Sequence, residues 1–138
     1  MSGDVIAQYS HRVVPLRYRP QSFVNSLQWA IGLELFLLAP DPSRVLFTTD
    51  HPNGAPFTRY PELIRLLMDR DFRNACLETI HPEARAMTLL REIKREFSLY
   101  EIAVMTRAAP ARLLGLSDLG TLQSGRKADI AVYDSSRD

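Results

Sequence analysis

Arg44-Val-Leu-Phe-Thr-Thr-Asp-His-Pro-Asn-Gly-Ala-Pro-Phe-Thr-Arg-Tyr-Pro61 decides how this chain is read. Val45-Leu46-Phe47 is a continuous apolar run, β-branched and aromatic, the pattern of a strand covered on both faces in a parallel sheet. The run turns polar at Thr48-Thr49-Asp50-His51. Asn53-Gly54 and Pro56 then make a loop, and Pro61 suits the first position of a helix. Leu63, Ile64, Leu67, Met68 and Phe72 follow at helical spacing. A strand feeding a polar loop and then a helix is an α/β unit. In such folds chemistry sits at the carboxyl ends of strands, and Asp50 and His51 stand at one.

Upstream, Ser22 can cap a helix with its hydroxyl. The residues Phe23 to Leu38 are apolar on nearly every side, which predicts a helix buried on more than one face. Pro40 and Pro42 stop it. Glu34, inside that helix, must find a partner or a polar gap. Val13 to Tyr18 reads as a short strand. Downstream, Arg70 to Phe97 is charged and predicted to be helical in pieces, with Cys76 in the core and His81 in a turn before Pro82. Pro110 opens a short last helix that closes at Leu114-Gly115. Gly120 and Gly125 mark turns, and Ile130-Ala-Val-Tyr133 reads as a strand.

By length alone, a single domain is the default expectation for 138 residues. A complete (β/α)₈ barrel normally needs about 250 residues, so the chain cannot hold one. Apolar residues are 46% and charged residues 24%, which excludes wholesale disorder. Seventeen basic against sixteen acidic residues leave a net charge of +1, too little to neutralise a phosphate backbone, so no nucleic-acid partner is expected. The single cysteine excludes an internal disulfide and fits a reducing compartment. Trp29 to Ala39 is the most apolar run, and it is shorter than the about 20 residues a membrane span requires. The first residues lack a signal peptide's profile. A cytoplasmic protein without membrane contact is expected.

Two stretches carry a resemblance. Thr106-Arg-Ala-Ala-Pro-Ala-Arg-Leu-Leu-Gly-Leu116, followed by Gly120-Thr-Leu-Gln-Ser-Gly-Arg-Lys-Ala-Asp-Ile-Ala-Val-Tyr-Asp134, resembles the C-terminal signature of the amidohydrolase superfamily. Phe23-Val-Asn-Ser-Leu-Gln-Trp-Ala-Ile-Gly-Leu-Glu-Leu35, Thr48-Thr-Asp-His-Pro-Asn-Gly54, Pro56-Phe-Thr-Arg-Tyr-Pro61 and Leu99-Tyr-Glu-Ile-Ala103 give a narrower match. They are similar to the family of formylmethanofuran dehydrogenase A subunits and of hydrolase subunits from bacterial formyltransferase/hydrolase complexes.

The resemblance implies a (β/α)₈ barrel with a two-metal site, usually zinc. It also implies action on the C–N bond of a formyl amide on a methanofuran-type carrier, releasing or condensing formate in one-carbon metabolism, and other subunits of such a complex as partners. On this pattern the chain is α/β, a C-terminal fragment of the barrel plus the start of its β-sandwich return. Residues 1–115 form the end of the barrel, with the last strand at 44–49 and the site loop at 50–60. Residues 116–138 return toward the sandwich. The family's His-x-His pair has no counterpart, and His11, His51 and His81 are scattered.

From the residues alone, a strand-end Asp can cap a turn or do chemistry. The resemblance makes Asp50 a metal ligand and proton acceptor. Read as residues, His51 can bond substrate or hold Asp50, or be a structural or solvated loop histidine. Asn53 can contact substrate or simply make a turn with Gly54. Arg59 can pair with an anionic carrier tail or stay a solvated loop arginine. Against this hydrolase reading stands a non-catalytic one, in which the chain is a truncated remnant or a module that packs against another chain.

Overall fold

A computed structural model describes residues 19–49, 51 and 55–132. The expected strand at 13–18 lies outside them, as do Asp50, Asn53 and Tyr133. Among the described residues there are six α-helices: α1 (Phe23–Leu38), α2 (Tyr60–Met68), α3 (Arg70–Leu77), α4 (Pro82–Met87), α5 (Leu99–Ala103) and α6 (Ala109–Leu113). A π-helical turn, Val104–Ala108, joins the last two. No helix among the described residues is long and apolar enough to cross a membrane.

Helix α1 begins and ends as its residues require. The Ser22 hydroxyl accepts the Asn25 N–H at 3.5 Å, and the chain turns extended at Ala39, before Pro40. Its buried side chains, Ser26, Ala30, Leu33 and Leu37, form one stripe, which packs on α4 and α2. The expectation of burial on several faces is therefore corrected. Val24, Leu35 and Leu38 are 59%, 67% and 60% exposed, because the described residues put neighbours on one side only. Glu34 finds its partners far along the chain. Its carboxylate accepts the Thr88 hydroxyl at 2.5 Å and the Leu89 N–H at 2.6 Å.

Neither expected strand forms among the described residues. Val45 has extended angles (φ −118°, ψ 132°), and burial alternates along 44–49, with Val45, Phe47 and Thr49 facing inward. One face is covered, not two. A β-ladder needs a neighbour's N–H and C=O groups, and no described segment supplies them. Ile130 and Val132 are likewise exposed and unpaired with any described strand.

Asp69 splits what would be one long helix into α2 and α3. Its N–H donates to the Arg65 carbonyl at 2.8 Å, closing α2. Its carboxylate accepts the Phe72 N–H at 2.8 Å, capping α3. Ser98 and Glu101 form a reciprocal capping box at α5. Both carboxyls sit below their ordinary values, Asp69 first because of the Phe72 N–H and Glu101 first because of the Ser98 N–H. A depressed carboxyl contributes stability above its unfolded pKa and loses it as pH falls through the folded value. Thermal stability should therefore fall from about pH 4.5 downward. Replacing Asp69 with Ser and Glu101 with Gln should flatten that fall, read from melting temperatures between neutral and acid pH. An unchanged slope would refute the assignment.

The helix at Pro110 does not open there but continues from Leu99. Proline lacks the N–H that would bond the Thr106 carbonyl, and its ring crowds that group. The turn widens, so that the Ala109 N–H donates to the Val104 carbonyl instead. The Arg107 guanidinium covers the freed Thr106 carbonyl at 3.1 Å. Helix α6 closes as predicted: Gly115 (φ 70°) lets its own N–H reach Arg112 and that of Leu116 reach Ala111. Gly120 then passes against the same helix. A Cβ there would lie 2.7 Å from the Ala111 Cβ and 2.8 Å from the Arg107 carbonyl oxygen, at φ +80°. Gly120→Ala should cost about 1–3 kcal/mol in urea unfolding. Gly125→Ala, at φ +84° in open space, should cost less. Equal costs would contradict the close approach.

One cluster of the core gathers Leu33 and Leu37, Leu66 and Leu67, Leu77 and Ile102, joined by Leu90, Phe97 and Met105, and Ala84 of α4 and Ala109 and Ala111 of α6 are buried as well. Arg73 lies at its edge, wholly buried. Its guanidinium donates to the carbonyls of Leu66 (2.9 Å), Ile93 (3.2 Å) and Arg95 (3.0 Å). Those bonds tie the irregular stretch 88–98 to α2 and α3.

Candidate functional site

The stretch that enters the candidate site is anchored by side chains and turns. At its start, Asp41 caps a 3₁₀ turn at Pro42–Arg44, accepting the Ser43 N–H at 2.9 Å. Arg112 of α6 donates to the Ser43 carbonyl at 2.9 Å. An open cleft of about 290 Å³ lies here, between Leu46 and Leu113. In the middle, the Phe47 ring meets Phe36 of α1 edge-on, with centroids 5.7 Å apart at 83°, and Tyr60 of α2 at 5.7 Å and 46°. At its end Thr49 is 5% exposed, and its carbonyl accepts the Ala55 N–H at 2.8 Å. That bond brings the backbone at Thr49 and Ala55 together.

Of the four residues singled out by sequence, Asp50 and Asn53 lie outside the described residues. His51 is exposed and sets its ring edge-on to Phe57, 5.2 Å away at 70°. Arg59 closes a 3₁₀ turn, Phe57–Arg59, and its guanidinium forms an ion pair with Glu62 in the first turn of α2. His51 and Arg59 thus flank the same short turn. His81 serves elsewhere, its Nδ1 accepting the Glu83 N–H at 3.3 Å as the cap of α4. Cys76 packs against the core, and burial pushes its thiol above the ordinary value, with Glu62 adding to the shift. It is therefore no ready nucleophile.

Among the described residues no three His, Cys, Asp or Glu side chains come close enough to hold a metal ion. The described residues do not by themselves fit a zinc pair. Sequence reasoning missed the aromatic contacts around Phe47 and the arginines on backbone carbonyls. Arg95 donates to the carbonyls of Leu37 and Ala39 at the end of α1 and pairs with Glu101 at 3.2 Å. A carbonyl partner leaves no signal in a sequence, since every residue has one. The aromatics were visible singly, but their meeting depends on how α1 and α2 cross.

Against known proteins, the chain finds specific relatives. A family model described as "Amidohydrolase family" matches residues 4–138. The A subunit of the formyltransferase/hydrolase complex Fhc of Methylorubrum extorquens is 52% identical over 126 residues, covering 91% of this chain and 23% of that protein. Protein FwdA of Methanocaldococcus jannaschii is 46% identical over 132 residues, covering 94% of this chain and 23% of that protein. One chain in the X-ray crystal structure of the FhcABCD complex from Methylorubrum extorquens with methylofuran superposes with a TM-score of 0.79 at 52% identity. The superposition covers 84% of this chain and 21% of that one. The chain spans less than a quarter of the length of these relatives.

Proposed function

We propose, from the premise that the chain belongs to the amidohydrolase family, that it forms the C-terminal part of a hydrolase cleaving the C–N bond of a formyl amide. The observation that carries this reading is the 52% identity and 0.79 TM-score to one chain of a formyltransferase/hydrolase complex. In this reading residues 1–115 end a (β/α)₈ barrel, 44–49 pair as its last strand once neighbours are present, and 116–138 start the return to a β-sandwich. The carrier of the formyl group is of the methanofuran type, and the partners are the other subunits of such a complex. The family resemblance implies zinc, with Asp50 as one ligand. The remaining ligands must come from outside the described residues.

The chemistry assigned to this chain's own groups is general acid–base catalysis. The Asp50 carboxylate takes a proton from the water that attacks the formyl carbon and returns it to the leaving nitrogen as the C–N bond breaks. The products are formate and the free amine, and the reverse sequence condenses them. His51, beside Phe57, orients Asp50 or the substrate. Asn53 and Arg59 contact the carrier, Arg59 through the donors that Glu62 leaves free.

A second reading keeps the chain non-catalytic, as a module that packs against another chain. The apolar residues along the outer side of α1 favour it, because faces of this kind mark interfaces. One experiment separates the two. This chain replaces the matching stretch of the Fhc A-subunit relative, and the complex is purified and assayed on its formylated carrier. Assembly with formate release supports the hydrolase reading. Assembly without turnover supports the second, and failure of the chimera to join the complex counts against both.

A further inference from the structure

Helix α1 carries two stripes. At about 100° per residue, Ser26, Ala30, Leu33 and Leu37 share one side, and they are buried where α1 packs on α2 and α4. Val24, Gln28, Ile31, Leu35 and Leu38 share the opposite side at the same spacing of three and four, and all five are exposed. Four of the five are aliphatic. The helix has one ionisable side chain, Glu34, and the Thr88 hydroxyl and the Leu89 N–H occupy its carboxylate. A helix that meets water on one side carries charged and polar residues there. The outer stripe carries no charge and one amide, which is the pattern of a second packing face.

The size of the stripe says what kind of neighbour suits it. Four aliphatic side chains present a few hundred Å², against the about 800 Å² that each partner buries in a stable interface between separate chains. Two copies of this chain meeting on this stripe alone would hold each other weakly. A neighbour in the same polypeptide needs far less area, because packing it costs no translational freedom. The length of the relatives supplies such a neighbour. This fold superposes on 21% of one chain of the FhcABCD structure with a TM-score of 0.79, so a similar fold stands there within a much longer chain.

We propose that the outer stripe of α1 packs against the remainder of a longer A-subunit chain, the part outside the stretch matched here, and not against another subunit or a second copy. The proposal rests on that part of the hydrolase reading which places this chain within a longer A subunit. Ile31 and Leu35, in the middle of the stripe, meet uncharged side chains. Gln28 is the one polar position of the seam. A buried amide needs a hydrogen-bonding partner, so a polar group of the remainder faces it.

The test uses the chimeric complex in which this chain replaces the matching stretch of the Fhc A subunit. A benzophenone-bearing residue replaces Leu35, and the complex is irradiated and digested. The crosslinked peptides should join position 35 to A-subunit residues outside the replaced stretch, with the A-subunit band keeping its mass. Crosslinks to a different subunit, or a band at the mass of two A subunits, would overturn the proposal. Ile31→Cys reads the same face chemically. Iodoacetamide should label that cysteine about tenfold or more slowly in the folded complex than in the complex unfolded by urea. Equal rates would mean that water covers the stripe, and would also overturn the proposal. If the chimera does not assemble, the same two changes at the aligned positions of the relative's own A subunit decide the matter. Formate release by the unaltered chimera is measured in parallel. Its absence beside the expected crosslinks would count against catalysis and leave the docking face standing.

Discussion

In the proposed hydrolase reading, Asp50→Asn should cost the chimeric complex about 10²–10⁴ in kcat and leave KM nearly unchanged. The side chain keeps its size and one oxygen, so packing and weak ligation at that place survive. It loses the basic carboxylate, so it can neither accept the proton of the attacking water nor return it to the leaving nitrogen. The lost interaction is made in the transition state and not in the ground state, which places the loss on kcat. Asp50→Glu keeps the base but moves it by a methylene, and it should lie between the parent and Asp50→Asn. His51→Asn should cost less than Asp50→Asn if His51 orients and does not transfer the proton. Steady-state kinetics on the chimeric complex decides this, and a near-parental kcat for Asp50→Asn would remove Asp50 from the mechanism.

Arg73→Met should cost more stability than Gly120→Ala or the loss of either helix cap. The guanidinium is wholly buried and holds three backbone carbonyls, those of Leu66, Ile93 and Arg95. Burial pulls its pKa below the ordinary arginine value, but a guanidinium stays charged in a protein. A methionine fills part of the space and satisfies none of the carbonyls. Each buried group left without a partner costs about 1–3 kcal/mol, so a loss of about 3 kcal/mol or more is expected. A small domain has only about 5–15 kcal/mol in all. The stretch 88–98 should loosen first, because it has few regular backbone bonds of its own. Arg73→Lys keeps the charge but not the planar fork that spans three acceptors, and it should recover only part of the loss. Urea unfolding with amide exchange on 88–98 measures both effects. A loss under about 1 kcal/mol would mean that the carbonyls are satisfied without Arg73.

What could be read from the sequence follows the range of the forces involved. The ends of α1 were legible because a capping hydroxyl at Ser22 and prolines at 40 and 42 act within a few residues. The close of α6 was legible for the same reason, since Leu114-Gly115 is a local backbone device. The strands expected at 44–49 and 130–133 have no ladder among the described residues, because a strand is completed by neighbours. Apolar composition predicted burial of α1 on several faces, but burial depends on what is present to cover each face, and the described residues cover one. Within the candidate site, Asp50 and His51 could be picked out by position after an apolar run and by resemblance to a family motif. Phe47 and Arg73 could not. Their partners lie on other helices or are backbone carbonyls, and neither leaves a periodicity or a spacing.

The π-helical turn at Val104–Ala108 has a consequence for how relatives can differ in length. A π turn closes its hydrogen bonds one residue later than an α turn, so it stores one residue beyond what an α-helix would use on the same path. An insertion or deletion inside an ordinary helix rotates everything beyond it by about 100°, which would swing Ile102 and Met105 out of the core relative to Ala109 and Ala111. At 104–108 a one-residue deletion can be absorbed by reverting to α-type bonding, with both flanking helices keeping their phase. Single-residue gaps among aligned relatives should therefore collect at this turn and be rare in α5 and α6. Where a relative lacks the residue, the proline at position 110 should be missing as well.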